Sequence, residues 1–284
     1  MDKHEQGPEL YGPDDGHDAL LYLEWGHALR DSGHHQEAIA KFARAAEVEP
    51  HNTLALCNWG DGLFATGRYA EAAEKFRCAA ESNPTFAEAF RRWADSLSEL
   101  GRHAEAIEKY RRAAEINPDE PDTHYNWGCT LSDAGRLEEA IKAYRRATEL
   151  DPEKDEAFYN WGNALYDLER FEEAAEKYLR AATINPDRAE AYYNWGNALR
   201  ELARYAEASE KYENATELDP SDADAFFFCG EMLRTLDCNE EAIEKYRCAA
   251  RLRPGFKRVF YSWGKALEKL GRYEEADCMF SRYP

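Results

Sequence analysis

Ala191–Pro220 reads AYYNWGNALRELARYAEASEKYENATELDP, and sliding this stretch by 34 residues in either direction lays it on a near copy of itself. Trp25, Trp59, Trp93, Trp127, Trp161, Trp195 and Trp263 fall on the same period, with Cys229 in the one slot that lacks the indole. Pro50 through Pro254 and Ala38 through Ala276 form two more series in the same register. A fixed period of this length marks a repeat array, in which each unit buries its apolar face only against a neighbour. The units run 19–52, 53–86, 87–120, 121–154, 155–188, 189–222, 223–256 and 257–284, the last cut short. Positions below are counted from the first residue of each unit, which puts Trp at 7.

Within a unit, Phe158, Trp161, Leu165 and Leu168 recur at three- and four-residue steps and predict a first helix, from Asp155 to Leu168. Ala174, Tyr178, Ala181 and Ala182 give a second stripe, from Phe171 to Ile184. Small residues at positions 8 and 20 are expected where the two helices cross. The second helix should end at Asn185, because the residue before Pro186 is pushed out of the α region. Glycines at position 15 (Gly33, Gly67, Gly101, Gly135, Gly271) suit a left-handed cap on the first helix. Each helix would be marginal alone, so stability must come from stacking.

The pattern resembles the tetratricopeptide repeat: Gly or Ala at 8 (Gly162, Gly196, Ala94), Leu at 11 (Leu165, Leu199), Ala at 20, Tyr or Phe at 24 (Tyr178, Tyr212, Phe42), Ala at 27 and Pro at 32. Trp at position 7, where the family usually has Leu, is the departure. The resemblance implies an all-α, right-handed superhelical solenoid of about eight helix-turn-helix repeats, spanning 19–284. Length alone would suggest two domains, but the unbroken period argues for one array. Met1–Asp18 reads as a flexible leader, with Gly-Pro and Asp-Asp-Gly steps and no apolar signal segment. Its eighth repeat should leave an apolar face open near Phe280 and Tyr283, with self-association through the C-terminal repeat as the consequence.

The net charge of −20 speaks against a nucleic-acid backbone as partner. Much of that charge reads as a solvated face: Glu recurs at position 19, near the start of the second helix, and Arg in six repeats at position 16, near the end of the first. Seven cysteines without a C-x-x-C pair suggest a reducing, cytoplasmic setting. No run approaches the roughly 18 apolar residues of a membrane span. Gly60-Asp61-Gly62-Leu63-Phe64-Ala65 fits a dinucleotide-loop spacing but follows no strand, and Asp219, Asp222 and Asp224 lack the glycine of a calcium loop. No phosphate loop, zinc-protease pair or nucleophile elbow is found, so neither enzyme activity nor a cofactor or metal is expected.

Function is therefore sought on the first helices, whose positions 2, 5, 6, 9, 12 and 13 face away from the core stripe and align on the inner surface as repeats stack. Position 6 holds Asn58, Arg92, Asn126, Asn160, Asn194 and Phe228; position 9 adds Asn163 and Asn197. Position 5 holds Arg91, Tyr125, Tyr159, Tyr193 and Phe227. Asparagine carries donor and acceptor together, so a row of them can pair with the main chain of an extended peptide whatever its sequence. The row is similar to the asparagine ladder in the repeat region of O-linked N-acetylglucosamine transferase, at Asn58, Asn126, Asn160 and Asn194; no glycosyltransferase domain follows. Arg91 and Arg92 could hold one carboxylate or pair with neighbouring acids. Phe226 is expected in the core, and Phe227 and Phe228 as an apolar pocket in the groove, beside a loosened core where Cys229 replaces Trp. A protein-protein interaction scaffold is the expected function. The alternatives are the recognition subunit of a separate modifying enzyme and, less well supported, an acidic nucleic-acid mimic.

Overall fold

The computed structural model describes residues 18–282, and all regular structure in them is helical: sixteen α-helices from α1 (Ala19–Asp31) to α16 (Tyr273–Phe280). The leader as far as His17, and Tyr283, lie outside the described residues. The chain divides into two compact units, 1–130 and 131–284. In the first, α1 and α2 (His35–Val48), α3 (Thr53–Ala65) and α4 (Tyr69–Ser82), and α5 (Ala87–Glu99) and α6 (His103–Ile116) form antiparallel pairs. The boundary falls inside α7 (Pro121–Asp133). The second contains α8 (Leu137–Leu150), α9 (Asp155–Asp167), α10 (Phe171–Ile184), α11 (Ala189–Glu201), α12 (Tyr205–Leu218), α13 (Ala223–Thr235), α14 (Asn239–Leu252), α15 (Lys257–Lys269) and α16.

The period is set by the turns. Gly67 at position 15 takes φ +74°; its N–H bonds to Phe64 O at 2.9 Å and the Arg68 N–H reaches back to Leu63 O at 2.9 Å. That pair of bonds closes a Schellman motif. Arg68 then serves as N-cap residue of α4, so one residue both ends a helix and begins the next. Position 16 therefore lies at the start of the second helix, not at the end of the first as its sequence position suggested. Arg68, Arg102, Arg136, Arg170, Arg204 and Arg272 each bond to the Glu three residues on through two nitrogens. These forks hold the Glu71 and Glu105 carboxyls below their usual range, but on open surface they add little stability. The second helix ends at Ile184, one residue before the expected Asn185, whose N–H still bonds to Ala181 O. Asn185 Oδ1 then accepts from Asp187 N at 3.3 Å, an Asx turn before the next helix.

The core of each repeat is the aromatic ring at position 24. Phe42, Phe76, Tyr110, Tyr144, Tyr178, Tyr212 and Tyr246 are all fully buried, each contributing on the order of 2 kcal/mol through burial. The glycine at position 8 makes room for that ring: a Cβ on Gly162 would lie 2.6 Å from Tyr178 Cε1. Position 8 thus faces the ring at position 24, and the small residue at position 20, from Ala38 to Ala276, is buried in every repeat. Phe280 occupies the same slot beneath Gly264, but unlike its seven counterparts it is only partly buried, at the edge of the last core cluster. Repeat seven keeps the common backbone: Cys229 is buried with Met232, Leu199 and Tyr212, and Asp237 adopts φ +61°.

The indoles at position 7 are less buried than a core reading implies, from 41% exposed at Trp25 to 8% at Trp161. Five of the seven are instead covered by a lysine sixteen residues later. Lys41 lies 3.5 Å from the Trp25 ring centroid, Lys75 3.9 Å from Trp59, Lys109 4.2 Å from Trp93, Lys177 4.4 Å from Trp161 and Lys211 4.5 Å from Trp195. Trp outcompetes Leu at this position because its large face attracts an ammonium as well as excluding water.

Two stability predictions follow from these local features. Glu169 and Ala203 occupy the left-handed turn slot without being glycine, at φ 58° and 56°. Removing that strain outweighs the entropy cost of glycine, so Ala203→Gly should stabilise by about 0.5–1 kcal/mol and Gly135→Ala should destabilise by a similar amount. Denaturant midpoints decide it, and a lower midpoint for Ala203→Gly would dispose of the strain. Lys177→Met keeps the aliphatic cover over Trp161 but loses the charge, so it should cost about 0.5–1 kcal/mol. A midpoint unmoved by Lys177→Met would reduce the contact to packing alone.

Candidate functional site

In the second unit the expected amides come together, and they are already at work. Asn163 Oδ1 accepts from the Tyr178 hydroxyl at 2.9 Å and from Asn194 Nδ2 at 3.1 Å. Asn194 Nδ2 also donates to the Tyr159 hydroxyl at 3.0 Å, and Asn194 Oδ1 accepts from Asn197 Nδ2 at 3.3 Å. Asn197 Oδ1 accepts from the Tyr212 hydroxyl at 2.8 Å and from Arg200 Nη1 at 3.4 Å. The rule is compact: the hydroxyl at position 24 donates to the acceptor at position 9 of its own repeat, and the donor at position 6 of the next repeat joins it. The amides are half-buried and the position-24 tyrosines fully buried, where an unmade hydrogen bond is expensive.

The same rule holds in the first unit with different residues. Asp95 Oδ1 accepts from the Tyr110 hydroxyl at 2.6 Å and from Asn126 Nδ2 at 3.1 Å. Burial pushes the Asp95 carboxyl up, and these bonds with Arg91 and Arg92 offset part of that rise. Further along the second unit, Glu231 takes the acceptor place and receives the Tyr246 hydroxyl at 2.5 Å. Burial alone would raise the Glu231 carboxyl; hydrogen bonds from Tyr246, Arg234 and Ser262 outweigh it and hold it below its usual value. Amides that the sequence presented as free groove donors are therefore also struts between repeats. Asn58 turns its Nδ2 to Leu54 O of its own helix at 2.8 Å, and Asn160 is half-buried with partners of its own.

Arg91 and Arg92 are neutralised, the second of the two readings their sequence allowed. Arg91 is 14% exposed and pairs with Glu88 at 2.5 Å and Asp95 at 3.4 Å; Arg92 pairs with Glu88 at 3.1 Å and Asp61 at 3.3 Å. Phe227 requires correction: it is 1% exposed, packed 5.0 Å from Phe256 and 6.1 Å from Tyr246 between ring centroids, and offers no surface to a ligand. Phe226, expected in the core, is only partly buried. The cause is the seam between repeats. Position 5 faces it, so the apolar Leu23, Cys57 and Phe227 are buried there, whereas Tyr125, Tyr159 and Tyr193 stay half-exposed. Phe228 remains half-buried against Tyr193 and Tyr212, with Arg200 Cζ 4.8 Å above its ring.

Two openings adjoin these residues. One, of about 360 Å³, is lined by Asn163, Tyr166, Asp167, Tyr178, Asn194 and Asn197 in the second unit. The other, also about 360 Å³, lies in the first unit among Arg30, Ile39, Asn58, Asp61, Phe64 and Arg92. Tyr166 and Arg200, at position 12, belong to this surface and were missed because position 12 varies from repeat to repeat. No cluster of His, Cys, Asp and Glu suited to a metal occurs among the described residues. Nor is any described helix long and apolar enough to cross a membrane.

A search among curated proteins finds no matching relative. Solved structures do match. YrrB, described as a TPR protein with an unusual peptide-binding site, is 26% identical with a TM-score of 0.58, covering 62% of this chain and 91% of its own. A MamA protein is 28% identical with a TM-score of 0.53, covering 55% and 91%. The C-terminal part of a TPR repeat-containing protein from Cytophaga hutchinsonii shares the fold over 84% of this chain and 98% of its own at a TM-score of 0.72, with 16% identity. Residues 23–85, 57–121 and 125–189 match the tetratricopeptide repeat family, and 196–237 match a TPR repeat. With the helix pairs, the Schellman turns and the buried position-24 rings in the same register, the chain belongs to the tetratricopeptide repeat family.

Proposed function

We propose that the chain is a non-enzymatic, cytoplasmic interaction scaffold that binds an extended peptide segment along the first helices of its second unit. The observation that carries this reading is the opening of about 360 Å³ at which Asn163, Asn194 and Asn197 converge. Asn163 and Asn197 accept two bonds each through Oδ1, while the described bonds leave donor capacity at Asn163 and one proton of Asn197 Nδ2. Because the struts hold these amides in place before a ligand arrives, little side-chain entropy is lost on binding. Tyr159, Tyr193 and Phe228 flank them and offer rings to the ligand's side chains, and Asn160 continues the row. The peptide-binding site of YrrB, at 26% identity, lends support. Asn58 and Asn126, with Tyr125, are assigned the same role for the first unit. Arg91 and Arg92 bind no carboxylate in this reading, since their charges are already matched.

Selection of a displayed random peptide library on the intact protein, followed by titration of the enriched peptides, tests this. Asn163→Ala with Asn197→Ala should weaken binding by about 1–3 kcal/mol, since peptide amides would be left unpaired on desolvation. Stability should fall too, by about 1 kcal/mol for each strut lost, so circular dichroism must first show the variant folded. Affinity should change only slightly between low and high salt, because amides and not charges make the contacts. Failure to enrich peptides, or enriched peptides indifferent to both substitutions, would refute the groove.

A further inference from the structure

Between Arg247 and Arg272 the chain carries eight Lys or Arg against one acid, Glu268, inside a protein of net charge −20. At the end of α14 the inversion puts Arg251 at position 29, which is Glu in five of the first six repeats; with Arg282 it stands at the rim of a cleft lined by Phe260 and Trp263. On α15, the first helix of the eighth repeat, the inversion is ordered. Positions 9 and 13 follow position 2 by seven and eleven residues, so the three fall within about 20° of one line along a helix. In the sixth repeat that line holds Glu190, Asn197 and Glu201, and in the seventh Asp224, Glu231 and Thr235. No Lys or Arg occupies any of these positions in the first seven repeats, whereas the eighth has Arg258, Lys265 and Lys269.

Helix stability does not account for the stripe. A cation in the first turn opposes the helix dipole, and Arg258 stands there with no acid in that turn to offset it. The position-9 acceptor can be given up because its usual partner is absent. The position-24 ring of this repeat is Phe280, which has no hydroxyl to bury, and Lys265 Nζ lies 5.4 Å from its centroid. Lys265 keeps Glu268 at 2.8 Å, and Arg234 of the preceding repeat keeps Glu231 at 3.2 Å. Arg258 and Lys269 are exposed and have no carboxylate partner among the described residues. Glu231, Arg234, Arg258, Tyr261, Ser262 and Lys265 line an opening of about 470 Å³. Glu231 is already engaged by Tyr246, Arg234 and Ser262, so cationic donors are in excess there.

Such a surface calls for a ligand of anionic acceptors, and the stripe gives their spacing. At 1.5 Å per residue, Arg258 to Lys265 is about 10 Å along the helix and Lys265 to Lys269 about 6 Å. An extended chain covers those spans in about three and two residues. One phosphate is too compact to meet all three groups, and a long polyanion is repelled by the acidic remainder of the molecule. We propose that α15 binds an acidic, extended segment of a partner protein, with carboxylates at that spacing against Arg258, Lys265 and Lys269. The inference is independent of the amide row, which needs no charge on its ligand.

The probe is a dansyl-labelled Gly-Ser octapeptide with Glu at its second, fifth and seventh positions, titrated against the full chain by fluorescence anisotropy. It should bind at low salt and lose about tenfold in affinity at high salt, and the same peptide with Gln at those positions should not bind. Arg258→Glu with Lys269→Glu, both at exposed positions, should weaken binding about tenfold or more, whereas Arg258→Lys with Lys269→Arg should retain it. Asn163→Ala with Asn197→Ala should leave this titration unchanged, which separates the stripe from the amide row. Four results would overturn the proposal: no binding of the Glu probe, binding indifferent to the α15 charge reversals, displacement by a phosphoserine peptide or an oligonucleotide more readily than by unlabelled Glu peptide, or self-association abolished by Arg258→Glu.

Discussion

Everything else in a repeat is arranged around the ring at position 24 lying beneath the backbone at position 8. At Gly162 there is no room for a methyl group above Tyr178, so the two helices approach as closely as a ring and a bare backbone allow. The third repeat has Ala94 at the same place, buried above a buried Tyr110. The slot therefore demands a small residue and not glycine itself. In the Tyr repeats the ring carries a second consequence. Its hydroxyl cannot be buried without a partner, and the first polar atom it meets is position 9 of its own first helix. Tyr178 meets Asn163, Tyr212 meets Asn197, Tyr110 meets Asp95 and Tyr246 meets Glu231. Packing thereby decides polarity on the opposite surface of the helix.

This link separates what the sequence made legible from what it did not. Helix ends could be read to within a residue, because Pro186 and Gly135 act on the backbone next to them and need no knowledge of the fold. The composition of the core was also legible, since a 3.6-residue stripe is a property of one helix. Position 9 was not. That an asparagine there accepts from a tyrosine fifteen residues later depends on how two helices cross, and that it also accepts from the next repeat depends on how repeats stack. Phe227 failed for the same reason: its position points to the inner surface on a single helix, and only the neighbouring repeat, bringing Phe256 against it, makes the position a seam. The lysine over five of the indoles was readable in principle, as a Lys sixteen residues after the Trp, but only once the question of what covers the ring is asked.

The struts change how the asparagine row is understood. An amide held between two repeats serves stability, and one left free could bind a ligand, so the two roles compete for the same atoms. Asn194 is close to fully engaged, with both kinds of atom bonded. Asn163 and Asn197 use their oxygens on tyrosines and keep donor capacity. A groove built this way has its donors fixed by its own fold, and the cost is that variants cannot be read as binding defects until their stability is known.

Departures from the repeat then become the informative positions, because an unvarying unit has no means of distinguishing one end of a bound chain from the other. Phe228 replaces the position-6 amide, so Asn197 receives Arg200 where Asn163 receives Asn194. A polar rung is exchanged for a ring capped by a cation. Arg251 replaces a glutamate and leaves two guanidinium groups without carboxylates at the rim of an aromatic cleft. Neither change disturbs the backbone: α13 and α14 keep the lengths of their counterparts, and the turn between them keeps its left-handed residue. Substitutions that alter surface chemistry while the Schellman turn and the position-24 ring stay fixed are those a repeat array can accept without loss of fold, and this chain concentrates them in its last two repeats.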